Sequence, residues 1–474
     1  MNISLRAPAP GKSPDHLQQL LASMNGRQVV VIGLGKSGLA AVELLLRLGA
    51  GHVTVLDDKR QQDLGAQQAA LAALGNVKVV GDGINPELAS KAELVVMSPG
   101  VPRRGVWWDA MVAASTPWVG EAELAWRTTH APWLCVTGTN GKSTTTTMLG
   151  GLVQAAGGAT FVGGNLGDPV CRAATDGAHW DHLVIELSSY QCEGISTLDA
   201  VGAVLTNLTP DHLERYKTPE NYYAAKMRLF EAQSRGNTAI LNGGDVESRA
   251  WASRIKSRRL DFNVGRGQDG VAIDLRTLLL TRDGVTETFS ARNPSIRGAH
   301  NLENAAAAVA AARAAGIPVE AVQRGLDAFV PVPHRLQVAG EIDGVTYVND
   351  SKGTNVDATV KAVQSFEEQI HLIAGGQDKG TSYDPLVLAA NGRVKAVYVI
   401  GQAAPLIAQA FTGICVVVEC GSLERALERA RSVARPGEVV LLSPACASFD
   451  QFKNYEHRGQ VFLDWVGART GGTP

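Results

Sequence analysis

Ala131-Pro-Trp-Leu-Cys-Val-Thr-Gly-Thr-Asn-Gly-Lys-Ser-Thr-Thr-Thr-Thr-Met148 is the stretch from which the fold can be worked outward. Trp133-Leu-Cys-Val136 is an apolar run that predicts a buried strand, and the Thr/Ala/Leu-rich residues after Ser143 predict a helix. Between them stand Gly138, Thr139, Asn140, Gly141, Lys142, Ser143 and Thr144. A strand, a glycine turn with Lys-Ser, and a helix form the layout of a phosphate-binding loop. Backbone N–H groups and the helix N-terminus face the phosphates, the lysine adds a point charge, and the hydroxyl can hold Mg²⁺. Two residues separate the glycines where the common motif has four, so the flanking strand and helix carry the inference.

With 474 residues the chain exceeds one ordinary core, and about 150 residues per domain predicts three. The 51 glycines fit many tight turns between strands and helices. A formal net charge of −2 gives no basis for a nucleic-acid or membrane partner. The six cysteines contain no CxxC pair, and several lie in apolar runs, which predicts buried free thiols in place of a disulfide framework or zinc site. No apolar run reaches the ~18 residues of a membrane span, and the N-terminus has no signal-peptide core, so the expected location is the cytoplasm.

Upstream, residues 1–26 form an expected extension punctuated by Pro and Ser. Gln28-Val-Val-Val-Ile-Gly33-Leu-Gly35-Lys-Ser-Gly38 then predicts a strand, a GxGxxG turn and a helix. Val53-Thr-Val-Leu-Asp57 follows as a strand ending in acid, which makes a Rossmann-type half. NAD is the obvious ligand for such a half, yet the geometry serves any diphosphate joined to a ribose. Leu94-Val-Val-Met97 leads to Ser98-Pro-Gly100, whose loop can reach the same ligand. Prolines at 102, 117 and 132 punctuate the exit, so the first domain is taken as 27–129.

Downstream, Leu183-Val-Ile-Glu186 is a strand carrying a carboxylate, and such a carboxylate commonly reaches the Mg²⁺ of a nucleotide; a structural acid fits equally. Ala203-Val-Leu-Thr-Asn207 leads to Asp211-His212, and a helix bearing Lys226 follows. Asn301-Leu-Glu-Asn304 opens an alanine-rich helix. Pro331 to Arg335 marks a hinge, which sets a second domain at 130–332 and a third at 333–474. In the third, strands at Val345–Asn349, Ile370–Gly375, Val397–Gly401 and Val439–Ser443 alternate with helices. The expected fold class is α/β, with three domains in series: an N-terminal Rossmann-like domain, a central phosphate-loop domain on a parallel sheet, and a C-terminal Rossmann-like domain.

Several stretches together resemble one family, the Mur ligases, which are ATP-dependent amino-acid-adding enzymes of peptidoglycan synthesis. They are Gly138–Thr144, Glu186-Leu-Ser-Ser-Tyr-Gln191, Asp211-His212, Ala224-Ala-Lys226, His300-Asn301 with Asn304, Pro333-His-Arg335, Asn349-Asp-Ser-Lys-Gly-Thr-Asn355, Leu442-Ser-Pro-Ala-Cys-Ala-Ser448 and Gln451-Phe-Lys-Asn-Tyr-Glu-His-Arg458. The resemblance spans about residues 27 to 465, and the last motif is that of the glutamate-adding branch.

The resemblance implies the cofactors ATP and Mg²⁺, the substrates UDP-N-acetylmuramoyl-L-alanine and glutamate, and a monomer. It implies that ATP phosphorylates the sugar-peptide carboxylate and that the glutamate amine attacks the acyl phosphate. By the same resemblance Lys142, His212 and Lys226 are catalytic, with Lys226 matching a carbamylated lysine. Ser143, Glu186, His212 and Lys226 match metal-site positions. Asn301, Asn304, Arg335 and Asp350 join the loop in holding ATP, which implies closure of the third domain on the second. The UDP-sugar falls to Gly35, Lys36, Ser37, Asp57, Ser98, Gly100 and Asn165, and glutamate to Lys352, Thr354, Lys379, Ser448 and Tyr455.

Three positions depart from the pattern: Lys36 replaces a common apolar residue, Tyr455 a common phenylalanine, and the polar side chains of Gly375–Tyr383 differ. D-Glutamate is the expected amino acid, with L-glutamate the alternative. An NAD-dependent oxidoreductase would leave the phosphate loop and Ser443–Arg458 unexplained, and a non-catalytic nucleotide-binding protein would keep the loop without turnover. The folate polyglutamate branch lacks the N-terminal Rossmann half.

Overall fold

A computed structural model describes residues 15–331, 333–378 and 380–470. The chain divides into two compact units, Met1–Arg292 with Glu303–Ala328, and Asn293–Leu302 with Phe329–Pro474.

The first unit holds three sheets. Gln28–Ile32, His52–Leu56, Val77–Val80, Leu94–Met97 and Trp118–Gly120 form a parallel sheet in which the third, second, first, fourth and fifth strands lie side by side. This is the order of a mononucleotide-binding half, with its crevice at the strand C-termini where the order reverses. The second sheet is parallel and six-stranded. Trp133–Thr137 lies at its centre between Gly202–Leu205 and His182–Glu186. Thr160–Gly164 lies outside the latter; Thr238–Leu241 and Arg258–Arg259 extend the other side. Trp133, Leu134, Cys135 and Val136 are all fully buried, as a central strand covered by helices on both faces requires.

Two buried carboxylates explain why the first two expected domains fall in one unit. Helix Glu121–Thr128 continues from the last strand of the first sheet. Glu123 on it accepts the N–H groups of Ser196 and Thr197 at 3.0 Å each and the Ser196 hydroxyl at 3.0 Å. Arg127 Nε lies 2.9 Å from the same carboxylate and its guanidinium also grips Asp15. Glu121 accepts the Cys171 N–H at 2.9 Å, and burial pushes its pKa up to about 7. These bonds cross from one sheet's layer to the other's, and removing either carboxylate would strand buried donors.

The sequence expectation did not include the third sheet, built from Phe262–Val264, Gly270–Asp274, Thr277–Arg282 and Val285–Ser290. Its last three strands are antiparallel. Val271-Ala-Ile273 and Leu278-Leu-Leu280 are short apolar runs paired directly as antiparallel neighbours, with no helix between them to mark a strand–helix alternation.

The second unit is a six-stranded sheet ordered Gln337–Ile342, Val345–Asn349, Val439–Leu442, Ile370–Gly375, Val394–Ile400 and Val416–Gly421. Five strands are parallel. The edge strand Gln337–Ile342 is antiparallel, an addition to the purely parallel arrangement the strand–helix alternation predicts. Leu372, Val397 and Leu441 pack into one core layer, and Ile373, Tyr398, Val440 and Leu442 into the other. That alternation is the pleat of a sheet covered on both faces. Among the described residues no helix is long and apolar enough to cross a membrane.

Candidate active site

The phosphate-type loop leaves the central strand of the six-stranded sheet of the first unit and enters helix Lys142–Gln154. Its shape depends on two glycines. Gly138 has φ +137°, and a Cβ there would lie 2.0 Å from Thr206 Oγ1. Gly141 has φ +84° and caps the helix, and its Cβ would lie 2.4 Å from Asn304 Oδ1. Left-handed backbone and a wall against the missing side chain both demand glycine. The next strand holds the loop from behind. Asn207 Oδ1 accepts the Asn140 N–H at 3.0 Å, its amide donates to the Asn140 carbonyl at 3.0 Å, and Thr206 donates to that carbonyl too. Thr139 donates to Thr209 O at 3.0 Å. Asn304 accepts from Thr145 at 3.2 Å, which fixes it beside the loop. Ser143 and Thr144 lie in the first helical turn, both buried.

Two lysines converge on this loop. Lys142 Nζ donates to Thr139 O at 2.7 Å, and Lys226 Nζ donates to Gly138 O at 2.7 Å. Lys226, from helix Pro219–Glu231, is buried and sits 4.5 Å from the Tyr222 ring centroid. Burial first, and then the charge of Lys142, hold its pKa well below the usual lysine range; Cys192, Asp211 and Glu186 oppose this more weakly. The structure therefore brings Lys142, Lys226, Glu186 and Asp211 within electrostatic range.

Glu186 ends its strand beside the loop. One carboxylate oxygen accepts the Asn165 amide at 2.7 Å; the other is buried with no partner. An orphaned buried carboxylate oxygen is what a hard cation satisfies, so the residues fit Mg²⁺. Among the described residues no group of three His, Cys, Asp or Glu forms a metal cage, so such a cation would draw on Ser143 and on phosphate oxygens. His212, with φ +54°, is half-exposed, and its Nδ1 lies 2.9 Å from Tyr190 Oη. That contact leaves Nε2 as the nitrogen for a ligand.

The first sheet's residues are occupied by local bonds. Asp57 accepts the Leu34 N–H at 2.6 Å and the Lys59 N–H at 2.9 Å, which shapes the glycine turn. Ser98 donates to Gly33 O at 2.8 Å. Gly35 caps helix Lys36–Arg47, with Lys36 and Ser37 in its first turn. Gly100 O accepts from Arg215 at 3.3 Å.

In the second unit Arg458 is fully buried and joins the two motifs of the expected glutamate site. It donates to the Ser351 hydroxyl at 3.0 Å, to Ser351 O at 2.9 Å and to Cys446 O at 3.3 Å. Lys352 Nζ comes to 5.7 Å from the Tyr455 ring centroid. Thr354 is half-buried and Ser448 buried, while Lys379 lies outside the described residues. Asp350 accepts from Leu336 N at 3.2 Å and from Ser443 at 2.7 Å; burial pushes its pKa up to about 6, against the nearby charge of Arg335. Asn301 belongs to this unit, on helix Gly298–Ala314. Tyr383, from the loop that departs from the family pattern, donates to Asp378 at 2.7 Å and lies 3.2 Å from Cys446 Sγ.

Thr206, Asn207 and Tyr222 shape the site without having been singled out from the sequence. Thr206-Asn207 follows a strand end, and only the knowledge that this strand neighbours the central one would have marked it.

Three family models match: a Mur ligase MurD-like N-terminal domain over residues 27–120, a Mur ligase middle domain over 136–312, and a Mur ligase glutamate ligase domain over 334–446. The chain is 44% identical over 453 residues to the UDP-N-acetylmuramoylalanine--D-glutamate ligase of Myxococcus xanthus, covering 94% of this chain and 99% of that protein. It is 42% identical over 452 residues to the enzyme of the same name from Acidobacterium capsulatum, covering 94% and 98%. Among solved structures, MurF from Acinetobacter baumannii has a TM-score of 0.61 at 15% identity, covering 95% and 98%. MurF from Thermotoga maritima in complex with ADP has a TM-score of 0.57 at 18% identity, covering 95% and 97%.

Proposed function

The chain belongs to the Mur ligase family of ATP-dependent ligases of peptidoglycan precursor synthesis, and on that premise we propose that it joins D-glutamate to UDP-N-acetylmuramoyl-L-alanine, in the cytoplasm and as a monomer. The observation that carries the chemistry is the gathering of half-buried Lys142, buried Lys226 and the half-satisfied Glu186 against one glycine loop. The amino acid and its hand rest on the names of the relatives, which are D-glutamate ligases; L-glutamate is the competing reading.

A carboxylate does not form an amide with an amine directly, because its oxygen is a poor leaving group. ATP supplies the phosphoryl group and Mg²⁺ supplies charge neutralisation at the phosphates. Around them this chain's residues hold and orient. The loop N–H groups and Lys142 face the phosphates, and Ser143 and Glu186 offer oxygen ligands to the cation. Lys226, buried and with its pKa held below the usual lysine range, is suited to carbamylation, which would turn it into an anion serving a second cation. Asn165, bonded to Glu186, links the cation's ligand to the sugar-peptide side. Gly35, Lys36, Ser37, Asp57, Ser98 and Gly100 form the UDP cradle. Lys352, Thr354, Lys379, Ser448 and Tyr455 take the two carboxylates of glutamate and present its amine. Asn304, beside the loop, and Asn301, Arg335 and Asp350 of the second unit are the further positions assigned to ATP.

The test is phosphate release from ATP with UDP-N-acetylmuramoyl-L-alanine, run with D- and with L-glutamate. Turnover that needs both substrates and favours the D-isomer is expected. Turnover with L-glutamate alone would move the assignment to the L-isomer, and none with either would overturn it.

A further inference from the structure

Helix Pro219–Glu231 carries Lys226 on one face and lines a cavity of about 660 Å³ with the other. At about 100° per residue, Asn221, Ala224, Arg228 and Glu231 point about 140–160° away from Lys226, with Ala225 between them and it. None of the residues 138–144 of the phosphate loop lines the cavity. Six cations line it, namely Arg103, Arg104, Arg215, Lys217, Arg228 and Arg254, against the two carboxylates Glu193 and Glu231.

The carboxylates do not neutralise the cations. Glu193 is already shared by Arg215, at 2.8 and 3.1 Å, and by Arg103, at 3.1 Å. Glu231 pairs with Arg254, at 3.6 Å. Among the described residues no carboxylate pairs with Arg104 or Arg228, and Arg228 donates instead to Ile195 O at 2.9 Å. Burial lowers the pKa of Arg103; the charge of Glu193 opposes this, and the weaker effects of Arg228 and Arg215 add to the lowering, so these guanidinium groups feel one another. Aromatic rings fix two of them in place: Arg103 lies over Trp118 at 5.2 Å and over Trp108 at 5.9 Å, and Arg215 over Tyr190 at 4.4 Å. Held guanidinium forks with an excess of four positive charges match the geometry of phosphate oxygens. The volume is that of a small-molecule site.

We propose that this cavity binds a small multivalent phosphate anion, independently of the phosphate loop. The test is isothermal titration calorimetry of the full chain with sodium tripolyphosphate at low salt and without Mg²⁺. Binding is expected to persist in Lys142→Ala, and to weaken at least about tenfold in Arg104→Ala/Arg228→Ala. Loss of binding in Lys142→Ala would assign the anion to the phosphate loop, and unchanged binding in the double variant would remove the cavity; either overturns the proposal. Arg104→Glu is the companion variant, since its side chain is exposed and the change should leave the fold intact. It too should bind at least about tenfold more weakly, and wild-type affinity there would equally refute the site.

Discussion

Gly138→Ala tests the origin of the loop's shape, and its cost can be worked from the geometry. Residue 138 holds φ +137°, where an L side chain costs about 1–3 kcal/mol. The new methyl would stand 2.0 Å from Thr206 Oγ1 and 3.0 Å from Thr206 N, so hydroxyl and backbone must both yield, for about 1–3 kcal/mol of overpacking. Displacing Thr206 also loosens its bond to Asn140 O, worth about 1 kcal/mol. The total, about 3–7 kcal/mol, is a large part of an ordinary domain's stability. Gly151→Ala is the control on the helix that follows the loop. Nothing lies within 4 Å of its Cβ and its backbone is helical, so it should stabilise by about 0.5–1 kcal/mol. Urea unfolding followed by circular dichroism and tryptophan fluorescence reads the stability, and calorimetric titration with ADP reads the loop. The expected pattern is an early transition and weakened ADP binding for Gly138→Ala, with a later transition for Gly151→Ala. If Gly138→Ala unfolds within about 0.5 kcal/mol of wild type and binds ADP normally, the steric account of the loop is wrong.

Lys142→Ala should keep its fold and lose about 10²–10³-fold in turnover, as loss of a preorganised charge at developing phosphate charge does, and near-normal phosphate release would take it out of the chemistry. Lys226→Ala should be inactive and regain turnover with an added short-chain carboxylic acid that replaces the carbamate; full activity without the acid would end that role. Asp350 has a folded pKa of about 6 against 3.8 unfolded. Between those values the folded chain binds more protons, so stability should fall by about 2–3 kcal/mol as pH rises through the window. Asp350→Asn should flatten that fall in urea midpoints measured from pH 3.5 to 7, and an unchanged slope would show that Asp350 ionises freely in the fold.

Fully buried parallel strands were legible because each is an apolar run bounded by glycine. Trp133–Val136 and Ile370–Gly375 leave no other partner for their side chains than helices on both faces. The four-stranded sheet at 262–290 and the edge strand Gln337–Ile342 were not legible. Antiparallel pairing in both joins strands next in sequence, and no helix separates those strands to give the strand–helix alternation by which the parallel sheets are read. For the candidate site, glycine and lysine letters marked the loop at once. Asn207, which bonds the loop's backbone from the next strand, carries no local signal because its importance comes from strand order.

The sequence alone determined the order of elements, the phosphate-type loop at 138–144 and the resemblance to one ligase family, since these depend on residue type at short spacing. Tertiary structure alone decided that Lys226 is a buried, suppressed base donating to Gly138 O, that Glu186 keeps one oxygen unsatisfied, and that six cations meet around two carboxylates on the far face of the Lys226 helix. Burial and charge proximity are sums over groups that the chain brings together from many positions. No local stretch of letters contains them.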